Sequence, residues 1–115
     1  MYKVEVALNE GKIRAEGKYS LDKIYAAIDK SFVNDALMPH CLIEADGARI
    51  YTTPTLKNKD HYAMIQNEIA NYMDEKWFTD NVLKFLYGDN GDGDSSADLF
   101  MEDVLEEWDV GKSVA

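Results

Sequence analysis

Apolar and polar residues alternate along the first stretch of the chain. Tyr2, Val4, Val6 and Leu8, then Ile13, Ala15, Gly17 and Tyr19, form one set, and Lys3, Glu5, Lys12, Arg14, Glu16 and Lys18 form the other. Period two is the side-chain repeat of a strand with one buried face, so the pattern predicts a β-hairpin that turns around Asn9, Glu10 and Gly11. A two-residue loop at Glu10 and Gly11 would set Leu8 opposite Ile13 and keep both apolar sets together.

The period then changes. Leu21, Ile24, Tyr25, Ile28 and Phe32 recur at helical spacing, with Asp22, Lys23, Asp29 and Lys30 on the other face. Ser20 is the expected N-cap, because its hydroxyl can accept from a free amide of the first turn, and Asp22 complements the positive end of the helix dipole. Pro39 disfavours helix at Met38, so the helix should end by Phe32 or Val33. The segment CLIEADGARIYTT predicts a second hairpin, with a type I′ turn at Asp46 and Gly47. That register pairs Ala45 with Ala48, Glu44 with Arg49, Ile43 with Ile50 and Leu42 with Tyr51. Cys41, Ile43, Ala45, Ala48 and Ile50 would then face the core, leaving Glu44 and Arg49 as a solvated cross-strand pair.

After Pro54 and a loop with Asn58 or Asp60 as cap, Tyr62, Ile65, Ile69, Tyr72 and Met73 mark a helix of about four turns. Trp77, Val82, Phe85, Leu86 and Tyr87 predict a third, with Thr79 as N-cap, a staple between Phe78 and Leu83, and Gly88 at its C-terminal end. The expected fold is α+β: two hairpins forming a four-stranded, mainly antiparallel sheet with helices on one face, in the order ββαββαα, followed by an acidic C-terminal helix. Residues 1–88 form the core domain, 89–109 an acidic loop and helix docked on it, and 110–115 a flexible tail.

Charge changes this picture at one end only. The net charge is −10, from 12 basic and 22 acidic side chains, and the run from Asp89 to Asp109 holds nine of the carboxylates and no Lys or Arg. The chain of 115 residues, 46% hydrophobic and with only two prolines, has a globular composition. No apolar run reaches the roughly twenty residues needed to span a bilayer, and the alternating N-terminus is unlike a signal peptide, so a cytoplasmic protein without membrane contact is expected. The single Cys41 fits a reducing compartment.

Candidate chemistry is sparse. His40 and Cys41 are neighbours on a strand and point to opposite faces, which argues against a nucleophile and base pair; Cys41 reads as a small buried apolar residue, and His61 as an exposed residue near a helix start. No zinc spacing, nucleophile elbow or phosphate loop occurs, so neither an enzyme nor a cofactor is expected. In GDNGDGDSSAD, the residues Asn90, Asp92, Asp94 and Asp98 occupy positions 1, 3, 5 and 9 of a calcium loop, but Ser95 stands where Gly is needed and Met101 where Glu is needed, with Glu102 one residue late. The plainer reading is a solvated loop with Ser95 as N-cap of the last helix. In that helix Asp98, Glu102 and Glu106 follow i, i+4 spacing, as do Asp103 and Glu107. Like charges so placed, close to the negative end of the dipole, are unfavourable, so packing of Phe100, Met101, Val104, Leu105 and Trp108 must compensate.

Two resemblances follow. Ser96 to Phe100, SADLF, resembles the short motif by which bacterial replication proteins bind the sliding clamp, with Leu99 and Phe100 matching and Ser96 in place of Gln. In size and charge the chain resembles small acidic accessory proteins of phages and mobile elements, including DNA mimics such as anti-CRISPR and anti-restriction proteins. The resulting expectation is a non-enzymatic protein-binding module. Its site is Asp98, Glu102, Asp103, Glu106, Glu107 and Trp108, and its partner a basic surface such as that of a nucleic-acid-binding protein. Homo-oligomers remain open. Nucleic acid itself would be repelled. The alternative expectation is a metal-binding or catalytic domain that uses the Asp-rich loop 89–98.

Overall fold

The computed structural model describes residues 1–54, 60–91 and 98–108. The fold is α+β, built on an antiparallel sheet of five strands rather than four. The strands are β1 (Tyr2–Leu8), β2 (His40–Ile43), β3 (Arg49–Thr53), β4 (Val82–Asp89) and β5 (Phe100–Asp103), in spatial order β2-β3-β1-β4-β5. Between them lie α1 (Glu10–Glu16), α2 (Leu21–Asp29), which continues as a π-helical turn over Lys30–Asp35, α3 (His61–Met73), α4 (Lys76–Thr79) and, after β5, the single turn α5 (Val104–Glu107). The order is therefore not ββαββαα.

β1 behaves as its alternation predicts, with Tyr2, Val4, Val6 and Leu8 buried and the residues between them half-buried. Its expected hairpin partner, however, is the helix α1. Asn9 caps this helix, its Oδ1 accepting from the Lys12 amide at 3.2 Å, and Gly17 ends it at φ 64° with its N–H on the Ile13 carbonyl. Of the supposed apolar set only Ile13 is buried, while Ala15, Gly17 and Tyr19 are exposed. The two-residue period here rested on side chains too small or too amphipathic to demand burial. Local capping and the ion pairs Glu10–Arg14 and Lys12–Glu16 settle the segment as a helix.

α2 agrees with expectation. The Ser20 hydroxyl accepts from the Lys23 amide, and Ile24, Tyr25, Ile28 and Phe32 are buried. The second hairpin also forms, but one residue out of the expected register: Leu42 pairs with Ile50 and Ile43 with Arg49. Its loop is longer than a type I′ turn. Glu44 and Ala48 close it, Asp46 Oδ1 accepts from the Ala48 amide, and Gly47 alone takes positive φ, at 92°. A one-residue slip exchanges the faces of a strand. The slip turns β3, so Tyr51 and Thr53 face the core; Cys41 and Ile43 lie on the same side, opposite Tyr51 and Arg49, and are exposed with the rest of β2 because it is the edge strand. Arg49 leaves Glu44 and turns to Asp29, with Nε 3.6 Å from Oδ1 and the guanidinium 4.1 Å above the Tyr25 ring.

The largest departure is at residues 82–89. What reads as a third helix is β4, paired with β1 on one side and β5 on the other. Phe85 and Tyr87 are buried on the face shared with Val4 and Val6, while Leu83 and Lys84 are exposed beside a bulge opposite Ala7 and Leu8. Val, Phe and Tyr favour the half-buried pleat, and a short, mostly apolar run such as Val82–Tyr87, broken only by Lys84, fits a strand as readily as a helix. Gly88 ends no helix. It lies opposite Met101 in the β4–β5 ladder, where a Cβ would collide with the Met101 sulfur.

One face of the sheet and the buried sides of the helices form a single core. It joins Val4, Val6, Tyr51, Phe85 and Tyr87 to Ile28 and Phe32 of the α2 segment, Ile65, Ile69 and Tyr72 of α3, and Phe78 of α4. His61 belongs to it too: it is fully buried rather than exposed, with Nε2 2.9 Å from the Ala36 carbonyl and its ring edge-on to Tyr2. Among the described residues, no helix is long and apolar enough to cross a membrane.

Candidate functional site

The acidic block is not one long helix. Phe100–Asp103 adds the edge strand β5, and the turn α5 then folds back over the core face. Strand propensity is low for Glu102 and Asp103, yet the exposed flank of β4 provides a ladder, and pairing there relieves the like-charge stacking that a helix would impose. Asp103 becomes the cap of α5, its Oδ1 accepting from the Leu105 amide at 3.1 Å. Val104 is fully buried, and Leu105 and Trp108 pack on the core behind it. The Trp108 indole N–H donates to Glu102 Oε1 at 2.7 Å.

This geometry divides the expected site. Glu102, Asp103 and Trp108 hold the C-terminal segment in place, whereas Asp98, Glu106 and Glu107 are exposed. Among the described residues no Lys or Arg forms an ion pair with those three, although Glu5, Glu10, Glu16, Asp29 and Asp80 all have such partners. Glu102 acts on Glu107 first through a hydrogen bond, to which slight desolvation and like charge add. Together they push the Glu107 carboxyl above the usual carboxylate range.

Beside these acids runs a groove of about 380 Å³, lined by Tyr62 at the start of α3, by Tyr87, Gly88 and Asp89 of β4, by Phe100 and Glu102 of β5, and by Glu107. Phe100 is 84% exposed, and the Tyr62 and Tyr87 rings stand 6.2 Å apart. The arrangement combines aromatic faces with carboxylates, a surface suited to organic cations. Sequence reasoning placed Tyr62, Phe100 and Tyr87 on inward helical stripes and so missed this groove. The alternation of Phe85 and Tyr87 about Leu86 was the available signal.

The calcium-loop expectation falls partly outside the described residues, since Asp92 and Asp94 are not among them. Asn90 Oδ1 accepts from the Met1 ammonium at 2.8 Å, and Asp98 is exposed. Among the described residues no cluster of three or more His, Cys, Asp or Glu side chains is placed to hold a metal ion. Of the SADLF segment, Ser96 and Ala97 also lie outside the described residues; Leu99 is half-buried and Phe100 lies in β5 rather than in a helix.

Cys41, expected in the core, is exposed at the β2 edge beside a hollow of about 500 Å³ formed with Asp29, Lys30, Val33 and Pro39. Partial burial and then the Asp29 carboxylate push its thiol up, so it is held protonated rather than activated. The Tyr51 hydroxyl donates to the same Asp29 at 2.6 Å, and Tyr25 donates to Glu10 at 3.0 Å. These polar contacts join α1, α2 and β3. Comparison of the chain with protein-family models, with curated proteins and with solved structures gives no match in any of the three, so the site stands on its own geometry.

Proposed function

We propose that the protein is a non-enzymatic binding module whose acidic C-terminal surface meets a basic protein, in the manner of the small acidic phage and mobile-element proteins it resembles in size and charge. The observation that carries this reading is the concentration of exposed negative charge in one segment. The run from Asp89 to Asp109 holds nine carboxylates and no Lys or Arg, and in it Asp98, Glu106 and Glu107 are exposed, with no ion pair to a Lys or Arg among the described residues, on a segment that packing holds in place. Unpaired like charges on a fixed scaffold contribute little to folding and create a field that accelerates encounter with a basic surface. A nucleic-acid-binding protein fits that requirement, whereas nucleic acid itself is repelled.

The experiment is binding kinetics on proteins captured from the source cell, at two ionic strengths, for the native chain and for Asp98→Asn, Glu106→Gln, Glu107→Gln combined. These three exposed substitutions leave Glu102 and Asp103 in place, so the fold should persist. The expected result is association slowed on the order of tenfold at low salt, with a flatter salt dependence. Unchanged rate and salt slope would reduce the acidic face to a solubilising surface.

A further inference from the structure

The groove beside the acidic surface has features that net charge does not explain. Phe100 is 84% exposed on an edge strand, and its ring lines the groove together with Tyr62 and Tyr87. Tyr87 is only 3% exposed, and its hydroxyl, shielded from solvent, meets no partner at full hydrogen-bonding geometry among the described residues, with the Gln66 side chain near it. A shielded hydroxyl left unsatisfied is costly, so its occurrence in the lining of a groove points to an absent polar partner. Three carboxylates, Asp89, Glu102 and Glu107, line the same groove, and among the described residues no basic side chain does.

We propose that this groove receives a lysine side chain of the basic partner, its methylenes along Tyr62 and Phe100 and its ammonium among Asp89, Glu102 and Glu107, where it would also serve as the donor that the Tyr87 hydroxyl lacks. The inference rests on the acidic-surface reading above and adds the recognised group. Lysine is favoured over arginine by the acceptors. Glu102 Oε1 already accepts from the Trp108 indole, and Asp89 Oδ1 from the Gly91 amide at 2.7 Å. Each of these carboxylates therefore has an oxygen already engaged, and Glu102 is also hydrogen-bonded to Glu107, so neither presents the free two-oxygen edge that a planar guanidinium matches. A compact ammonium with three diverging donors suits single acceptors approaching from different elements. Exposed aromatic faces add attraction for the cation.

The test titrates fluorescently labelled hexalysine and hexaarginine into the full chain at low salt. Three proteins are compared with it: Phe100→Ala, Glu107→Gln, and the double variant Asp98→Asn, Glu106→Gln, whose positions lie outside the groove. Circular dichroism checks that each is folded, as expected for exposed positions. The proposal expects tighter binding of hexalysine than of hexaarginine, and a loss of roughly twofold to thirtyfold in hexalysine affinity on Phe100→Ala, the range of one cation–π contact. If both peptides bind, the double variant weakens both, and Phe100→Ala and Glu107→Gln change nothing, the groove is overturned and the acidic-surface reading stands. Hexaarginine bound as tightly as hexalysine, with the same sensitivity to Phe100, overturns the choice of lysine. Failure of both peptides to bind removes the surface reading and the groove with it.

Discussion

Truncation of Phe85 is the sharpest probe of residues 82–89. Its ring is fully buried, edge-on to Phe78 at a centroid distance of 5.1 Å and to Phe32 at 6.3 Å. Phe→Ala in a core costs roughly 3 to 5 kcal/mol, and two edge-on aromatic pairs place this site in the upper part of that range, at about 4 to 5 kcal/mol. Against a domain stability of about 5 to 15 kcal/mol, such a variant is at the margin of folding. The neighbours make the argument specific to a strand. Leu86→Ala, on the half-buried opposite face, should cost about 1 kcal/mol, and Leu83→Ala, at a position 64% exposed, less than that. Urea midpoints for the three variants, at constant slope, supply the measurement. A Leu86→Ala loss equal to that of Phe85→Ala, or a Phe85→Ala loss below about 1 kcal/mol, would refute the alternation and restore a helical phase.

Three further outcomes follow from the packing. Leu37 holds φ 56° without being glycine, so Leu37→Gly should raise stability by about 0.5 to 1 kcal/mol in the same urea assay; a loss would mean that its half-exposed side chain outweighs the strain. Burial above all pushes up Tyr25, to about 12, and also Tyr51 and Tyr87. Unfolded tyrosines ionise near pH 10, so the unfolded chain binds fewer protons above that pH; stability should be fully present below pH 10 and then fall by about 1.4 kcal/mol per pH unit for each tyrosine still protonated in the fold. Tyr51→Phe should remove one such share, and an unchanged slope between pH 10 and 11 would contradict the assignment. Trp108→Phe, which deletes the donor to Glu102 but keeps a ring, should cost about 1 kcal/mol, and Trp108→Ala more; a thermal melt insensitive to both would free Trp108 to act as a partner anchor.

The elements legible in the sequence are those whose pattern and caps agree. Val4 and Val6 alternate with charged residues and are buried, and Ser20 caps a stripe of large apolar side chains that is buried as expected. The errors occur where period alone decided the reading. Ala15 and Gly17 counted as apolar without needing burial. Val82 to Tyr87 is short and continuous enough to suit either element, and only β1 and β5, distant in sequence, make it a strand. In the second hairpin, Asp46 and Gly47 located the turn but not its length, and one added loop residue turned Tyr51 to the core, onto the same side of the sheet as Cys41 and Ile43. The acidic character of the site was visible in composition. Its aromatic half was not, because Phe100, Tyr62 and Tyr87 come together only through the strand order.

That order has a consequence for how the molecule is made. The first strand of the chain is the middle strand of the sheet, and its two ladders come from residues 49–53 and 82–89. Pairing across such separations must close long loops before any contact compensates, which slows folding. During synthesis the wait is longer still. About eighty residues separate Leu8 from the end of β4 at Asp89, and at roughly 5 to 20 residues per second one edge of β1 stays unpaired for on the order of 4 to 16 s. Tyr2, Val4, Val6 and Leu8 would then be a chaperone-binding segment in the nascent chain, with Lys3 and Glu5 as charged interruptions against association with other nascent chains. Stalled nascent chains ending at residue 75 should leave the β1 amides open to hydrogen exchange, and chains ending past residue 108 should protect them. Protection in the shorter chain would mean that β1 and β3 pair without waiting for β4.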